Sequence, residues 1–117
     1  MAYVDGFLIP VPKKNLKAYA KMAKLGAKIW REHGALDYME CVGDDMKPAF
    51  GLPFPKQMKL KAGEVPVFSY IVYKSRAHRD AVNKKVMSDP RMAEAPKEMP
   101  FDFKRMAFGG FKVLVEG

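Results

Sequence analysis

Cysteine is almost absent: the 117 residues contain one, Cys41. That excludes an intramolecular disulfide and any zinc site built from several cysteines, and it fits a reducing compartment. Cys41 reads as a packed small hydrophobe rather than a nucleophile. Histidine is nearly as scarce. His33 and His78 lie far apart in sequence and lack the paired spacing of a metal or haem ligand set, so no metal site and no cofactor is expected. The N-terminal run MAYVDGFLIP has neither the basic region nor the long apolar core of a signal peptide or membrane span, so a cytoplasmic location is the default expectation. Acidic residues are outnumbered, 13 Asp+Glu against 21 Lys+Arg, for a net charge of +8. Such a surplus attracts phosphates and nucleic acid non-specifically at low salt; it bears on solution behaviour and does not define a function.

What is present is apolar. Hydrophobic residues make up 49% of the chain, which rules against disorder and suits one domain over residues 1–117. A chain of this size holds a real core, yet association would help it to bury apolar surface. The organising stretch is Val67 to Val86. Val67 to Tyr73 is rich in β-branched and aromatic residues and reads as a strand. Val67, Ser69, Ile71 and Tyr73 point one way, and Phe68, Tyr70 and Val72 the other. Because both faces are apolar, something must cover the sheet on both sides. Ser75 then caps a helix over Arg76 to Met87.

Upstream, Tyr3 to Ile9 predicts a first strand, ended by Pro10 and Pro12. Asn15 or a neighbour opens a helix to about His33, stopped by Gly34. At about 100° per residue, Lys17, Lys21, Lys24, Lys28, Arg31 and Glu32 fall on one narrow arc. Leu16, Tyr19, Ala20, Ala23, Ala27 and Trp30 fill one flank of the remainder, and Ala18, Met22, Leu25 and Ile29 the other. This apolar arc exceeds what one sheet face requires, so a second element or subunit is expected against it. Gly26, inside that arc, reads either as a close approach by another backbone or as simple tolerance. His33 fits a helix C-terminus.

Ala35 to Val42 predicts a second strand with Leu36, Tyr38, Glu40 and Val42 on one face. Glu40 thus shares a face with large apolar neighbours and must find a donor or reach water at a sheet edge. Gly43 to Gly63 is broken by Pro48, Gly51, Pro53 and Pro55, and carries Phe50, Leu52 and Phe54 as apolar cargo. Gln57 to Lys61 alternates like a short strand and predicts an antiparallel hairpin with Val67 to Tyr73. On the second long helix, Ala77, Ala81, Val82 and Val86 define the inner arc and Arg76, Arg79, Asp80 and Asn83 the outer one. His78 lies on the inner side, where it should be hydrogen-bonded or line a cavity. Asp89 and Pro90 start a short helix, Arg91 to Ala95. Met99 to Arg105 crosses back to a last strand, Met106 to Glu116, with Phe111, Val113 and Val115 inward and a bulge or close backbone approach at Gly109 and Gly110.

Strand, helix, strand, strand, helix, strand is the order of a ferredoxin-like α+β fold, βαββαβ with an antiparallel sheet. Its helices cover one sheet face only. Packing two such sheets together as a homodimer would cover the other. The runs YVDGF (Tyr3 to Phe7), EHGAL with EC (Glu32 to Cys41), VFSYIVYKSRAHRD (Val67 to Asp80), MSDPRM (Met87 to Met92), MPFD (Met99 to Asp102) and KRM with GGF (Lys104 to Phe111) resemble the YbaA-like family of uncharacterised bacterial proteins. The resemblance spans nearly the whole chain. It implies the dimeric α/β-barrel superfamily and a pocket between helices and sheet, without supplying a reaction.

Three functions follow as expectations. In a small-molecule enzyme or binding protein, Glu40, Tyr70, His78 and Arg105 are the ligand-site candidates, with Asp102 behind them. A non-catalytic structural or regulatory dimer would use the Phe50 to Phe54 loop as an arm around its partner. Nucleic-acid binding through the lysines of the first helix lacks both a recognised motif and interleaved aromatics, so those lysines read as a solvated face.

Overall fold

The computed structural model describes residues 2–94, 96 and 98–117. Four strands, β1 (Tyr3–Pro12), β2 (Asp37–Val42), β3 (Glu64–Tyr73) and β4 (Ala107–Lys112), form an antiparallel sheet in the order β2-β3-β1-β4. Helix α1 (Leu16–Glu32) joins β1 to β2, and α3 (Arg76–Met87) follows β3; a single turn, α2 (Phe54–Gln57), interrupts the β2–β3 connection. This is the expected ferredoxin-like α+β arrangement, with β1 and β3 central and β2 and β4 at the edges.

The period-two alternation of strands sorts the sheet into two unlike faces. Tyr3, Asp5, Ile9 and Val11 of β1 and Val67, Ser69, Ile71 and Tyr73 of β3 are buried. The apolar ones and Tyr3 and Tyr73 pack with Tyr19, Ala23 and Ile29 of α1 and Val82 and Val86 of α3 in two adjoining clusters. On the opposite face Met39, Phe68 and Phe111 stay 46%, 47% and 60% exposed. The apolar face that required a cover is therefore open in the single chain.

Ser75 caps α3 as expected, its Oγ accepting the His78 amide at 3.1 Å. Gly34, at φ +114°, ends α1 in the left-handed conformation that glycine tolerates. Asn15 precedes α1 without a side-chain cap; its Nδ2 donates to the Pro100 carbonyl instead, at 3.0 Å.

Several local expectations are corrected. β1 does not stop at Ile9 but runs through Pro10, which faces Pro66 across the pair. The Pro66 carbonyl accepts from the Gly43 amide on the far side of β3, so the two prolines occupy a pair that exchanges no hydrogen bonds and their missing N–H groups cost nothing there. Gln57 to Lys61 forms no strand: Pro53 and Pro55 start the α2 turn, and Lys59 adopts φ +52°. β4 ends at Lys112, leaving Val115 83% exposed, and Phe111 points to the open face. Gly110, opposite Asp5, takes the covered side, and alternation turns Phe111 away. A Cβ at Gly110 would lie 2.8 Å from the Tyr3 ring, so a side chain, not the expected backbone, makes the close approach at this glycine pair. On α3, Ala77 and Ala81 are exposed, whereas Arg79 and Asn83 turn inward. The residues Pro90–Glu94 form a 3-10 turn, and the expected helix end at Ala95 lies outside the described residues.

Candidate functional site

The flank of α1 carrying Leu16, Tyr19, Ala20, Ala23 and Ala27 overhangs the edge strand β2. Three of these five are alanines, too short to fill the space beneath. The result is a cleft of about 480 Å³ whose far wall is Tyr38, Glu40, Val42 and Val67. The apolar arc that called for a second element thus borders this cleft within its own chain.

Alternation along β2 places Glu40 here, between Tyr38 and Val42 and opposite the small Ser69. Both carboxylate oxygens are engaged. The Tyr19 hydroxyl donates to Oε1 at 2.7 Å, and the Tyr38 hydroxyl donates to Oε2 at 2.8 Å. Burial and the adjacent Glu40 carboxylate push both phenols well above the ordinary tyrosine range, so they remain neutral donors. Gly26 belongs to this arrangement. A Cβ there would stand 3.2 Å from the Tyr38 hydroxyl, so it is a side chain, not a backbone, that approaches the glycine. Among the described residues no ion pair includes Glu40.

A second polar cluster lies on the same side of the sheet and is closed. Arg79 donates to Asp5 Oδ1 at 2.8 Å, and its guanidinium sits 4.9 Å from the centre of the Tyr3 ring. Asn83 Oδ1 accepts from Trp30 Nε1 at 3.1 Å and from the Tyr73 hydroxyl at 3.3 Å. Burial pushes the Asp5 carboxyl up, opposed by the charge of Arg79. Asp5 is 7% exposed, which leaves no room for a ligand.

Of the sequence candidates, Glu40 alone borders the cleft. Tyr70 lies on the open sheet face beside Phe68, with ring centres 6.0 Å apart. His78 Nδ1 accepts the Lys74 amide at 3.0 Å and its ring edge meets Tyr73, so it is hydrogen-bonded at the start of α3. Asp102 caps a 3-10 turn by accepting the Lys104 amide at 3.1 Å. Arg105 is bidentate to Glu64, at 2.6 and 2.9 Å. His33 contacts Asp89 at 2.8 Å. The sequence by itself marks neither Tyr19 nor Tyr38 as a site residue. Their signals were present, one on the alanine-rich flank of α1 and one on the strand face of Glu40, but no local pattern joins Tyr19 to Glu40, 21 residues away. Among the described residues, no three His, Cys, Asp or Glu side chains are grouped as a metal would need, and no helix is long and apolar enough to cross a membrane.

A four-stranded antiparallel sheet in βαββαβ order, covered by helices on one face, defines a ferredoxin-like protein. The chain belongs to the family described as "Protein of unknown function (DUF1428)", whose model matches residues 2–103. It is 44% identical over 116 residues to Uncharacterized protein YbaA of Escherichia coli K12, covering 99% of each chain, and equally to YbaA of Shigella flexneri. A solved structure of a dimeric ferredoxin-like protein from an uncultured marine organism matches 100% of both chains with a TM-score of 0.55 at 14% identity, a likeness of fold.

Proposed function

We propose that the protein is a cytoplasmic, single-domain homodimer that binds a small molecule in the cleft between α1 and β2. The observation that carries this reading is Glu40: a carboxylate fixed by two phenols on the wall of a cleft of about 480 Å³ whose other walls are mostly apolar. Apolar enclosure with a few convergent polar groups is the usual make-up of a small-molecule site. The homodimer is supported by the open face, where Met39, Phe68 and Phe111 are about half exposed or more. A second sheet laid on that face would remove these side chains from water. The dimeric assembly of the ferredoxin-like relative in structure points the same way.

Native mass spectrometry of freshly isolated protein tests both parts. A dimer mass carrying extra mass that Glu40→Ala removes supports the reading; a bare dimer that leaves a small-molecule library unbound overturns the binding part, and a monomer at micromolar concentration overturns the dimer. A structural dimer without a ligand is the second reading, favoured by Phe50 and Leu52, which stand 89% and 59% exposed on the β2–β3 connection where an arm could reach a partner. Deleting both side chains would dissociate the dimer under that reading and leave it intact if the sheet face alone holds it.

A further inference from the structure

The polar chemistry of the cleft narrows its ligand class. Tyr19 and Tyr38 each spend their only proton on Glu40, so the two phenol oxygens present lone pairs alone. A carboxylate offers about four lone-pair sites, and these two bonds leave about two unused. The two phenol oxygens and the carboxylate they hold are therefore acceptors, and the carboxylate has no cationic partner among the described residues. Half-buried charge of this kind gains most from an opposite charge brought to it. Around this centre the wall is hydrocarbon and aromatic: Leu16, Ala20, Ala23, Ala27 and the rings of Tyr19 and Tyr38. Lys24 also borders the cleft but is solvent-exposed, so its ammonium stays in water.

Resting on the cleft reading above, we propose that the site takes a small organic amine in its cationic form, its ammonium donating to Glu40 and the two phenol oxygens while its apolar body lies against the alanine flank of α1. An anionic ligand would meet lone pairs at the centre and find a charge partner only at Lys24. A neutral alcohol brings one donor and no charge. The ammonium brings three donors and the missing charge.

The test uses three probes of similar apolar body: 2-phenylethylamine, 2-phenylethanol and 3-phenylpropanoate. Each is titrated into the full chain carrying 13C-labelled alanine methyls, and the Ala20, Ala23 and Ala27 resonances are followed. The expected result is saturable shifts with the amine, affinity for the alcohol lower by about tenfold or more, no response to the carboxylate, and a comparable loss of amine affinity in Glu40→Gln. Equal affinity for amine and alcohol in the wild-type protein overturns the amine assignment while leaving the cleft as a binding site, and this comparison needs no variant to fold. Amine binding that survives Glu40→Gln unchanged overturns it as well. Binding of the carboxylate alone, lost in Lys24→Ala, would make the site anionic in preference and overturn the proposal. If no probe moves the alanine methyls, both the amine assignment and the cleft reading fall.

Discussion

Asp5 and Glu40 rise from the covered face of the same sheet, one on a central strand and one on an edge strand, and the protein treats them in opposite ways. Asp5 is closed over, with Arg79 donating at 2.8 Å and the Tyr3 ring shielding the guanidinium. Glu40 is held at comparable distances, 2.7 and 2.8 Å, by neutral phenols and faces an open cleft. The first fastens α3 to the sheet and brings its own counter-charge. The second is fixed in place but left without one. Two carboxylates on one sheet face, Asp5 buried and Glu40 half-buried, therefore differ in purpose, and what opposes the charge differs along with the depth of burial.

That contrast breaks first at Arg79. Arg79→Ala leaves the Asp5 carboxylate buried without its partner and should cost about 3 kcal/mol, seen as a lower urea midpoint at fixed protein concentration; a change under about 0.5 kcal/mol would mean that the pair contributes no net stability. Gly110→Ala should cost about 1–3 kcal/mol, because the new methyl collides with the buried Tyr3 ring that shields Arg79. A melting temperature equal to wild type would show that the ring moves freely. Glu40→Gln should change stability by less than about 1 kcal/mol, since the amide still accepts from one phenol and donates to the other; a loss as large as that of Arg79→Ala would make Glu40 a structural residue and erase the contrast. The smallest effect concerns pH. The Arg105 guanidinium beside Glu64 holds that carboxyl below its ordinary 4.5, so its contribution is present above pH 4.5 and is lost as pH falls. Asp5, pushed above 3.8 by burial, has the opposite sign: its contribution is complete below pH 3.8 and is lost as pH rises through its folded value. The acid decline in stability should be shallower in Glu64→Gln and steeper in Asp5→Asn, read from urea midpoints between pH 3 and 5, and the same slope in both variants would contradict these signs.

The central strands, both long helices and the Ser75 cap were legible because each rests on a local signal: apolar runs, a lysine stripe, a hydroxyl at a helix start. Glu40 was legible for a similar reason, as an acid on an apolar strand face. Pairing was not. Arg79 and Asn83 look like outward residues on a helical wheel, and their inward turn depends on Asp5 and Trp30, which are 74 and 53 residues away. Tyr19 reads as core until β2 is placed beneath it. Met58 and Leu60 imitate strand alternation, yet the prolines before them commit the backbone to a turn. Val113 and Val115 keep the alternation of β4 beyond its last ladder pair, Tyr3 with Lys112.

β2 lies at the edge of the sheet and is bonded to a strand on one side only. Edge strands open before central ones, on free energies well below that of global unfolding. Opening β2 also carries Glu40 away from Tyr19, so separation of the strand and loss of that phenol bond are a single event. Amide hydrogen exchange along residues 37–42 is in effect a clock for the breathing of the cleft, readable in the empty protein before any ligand is known.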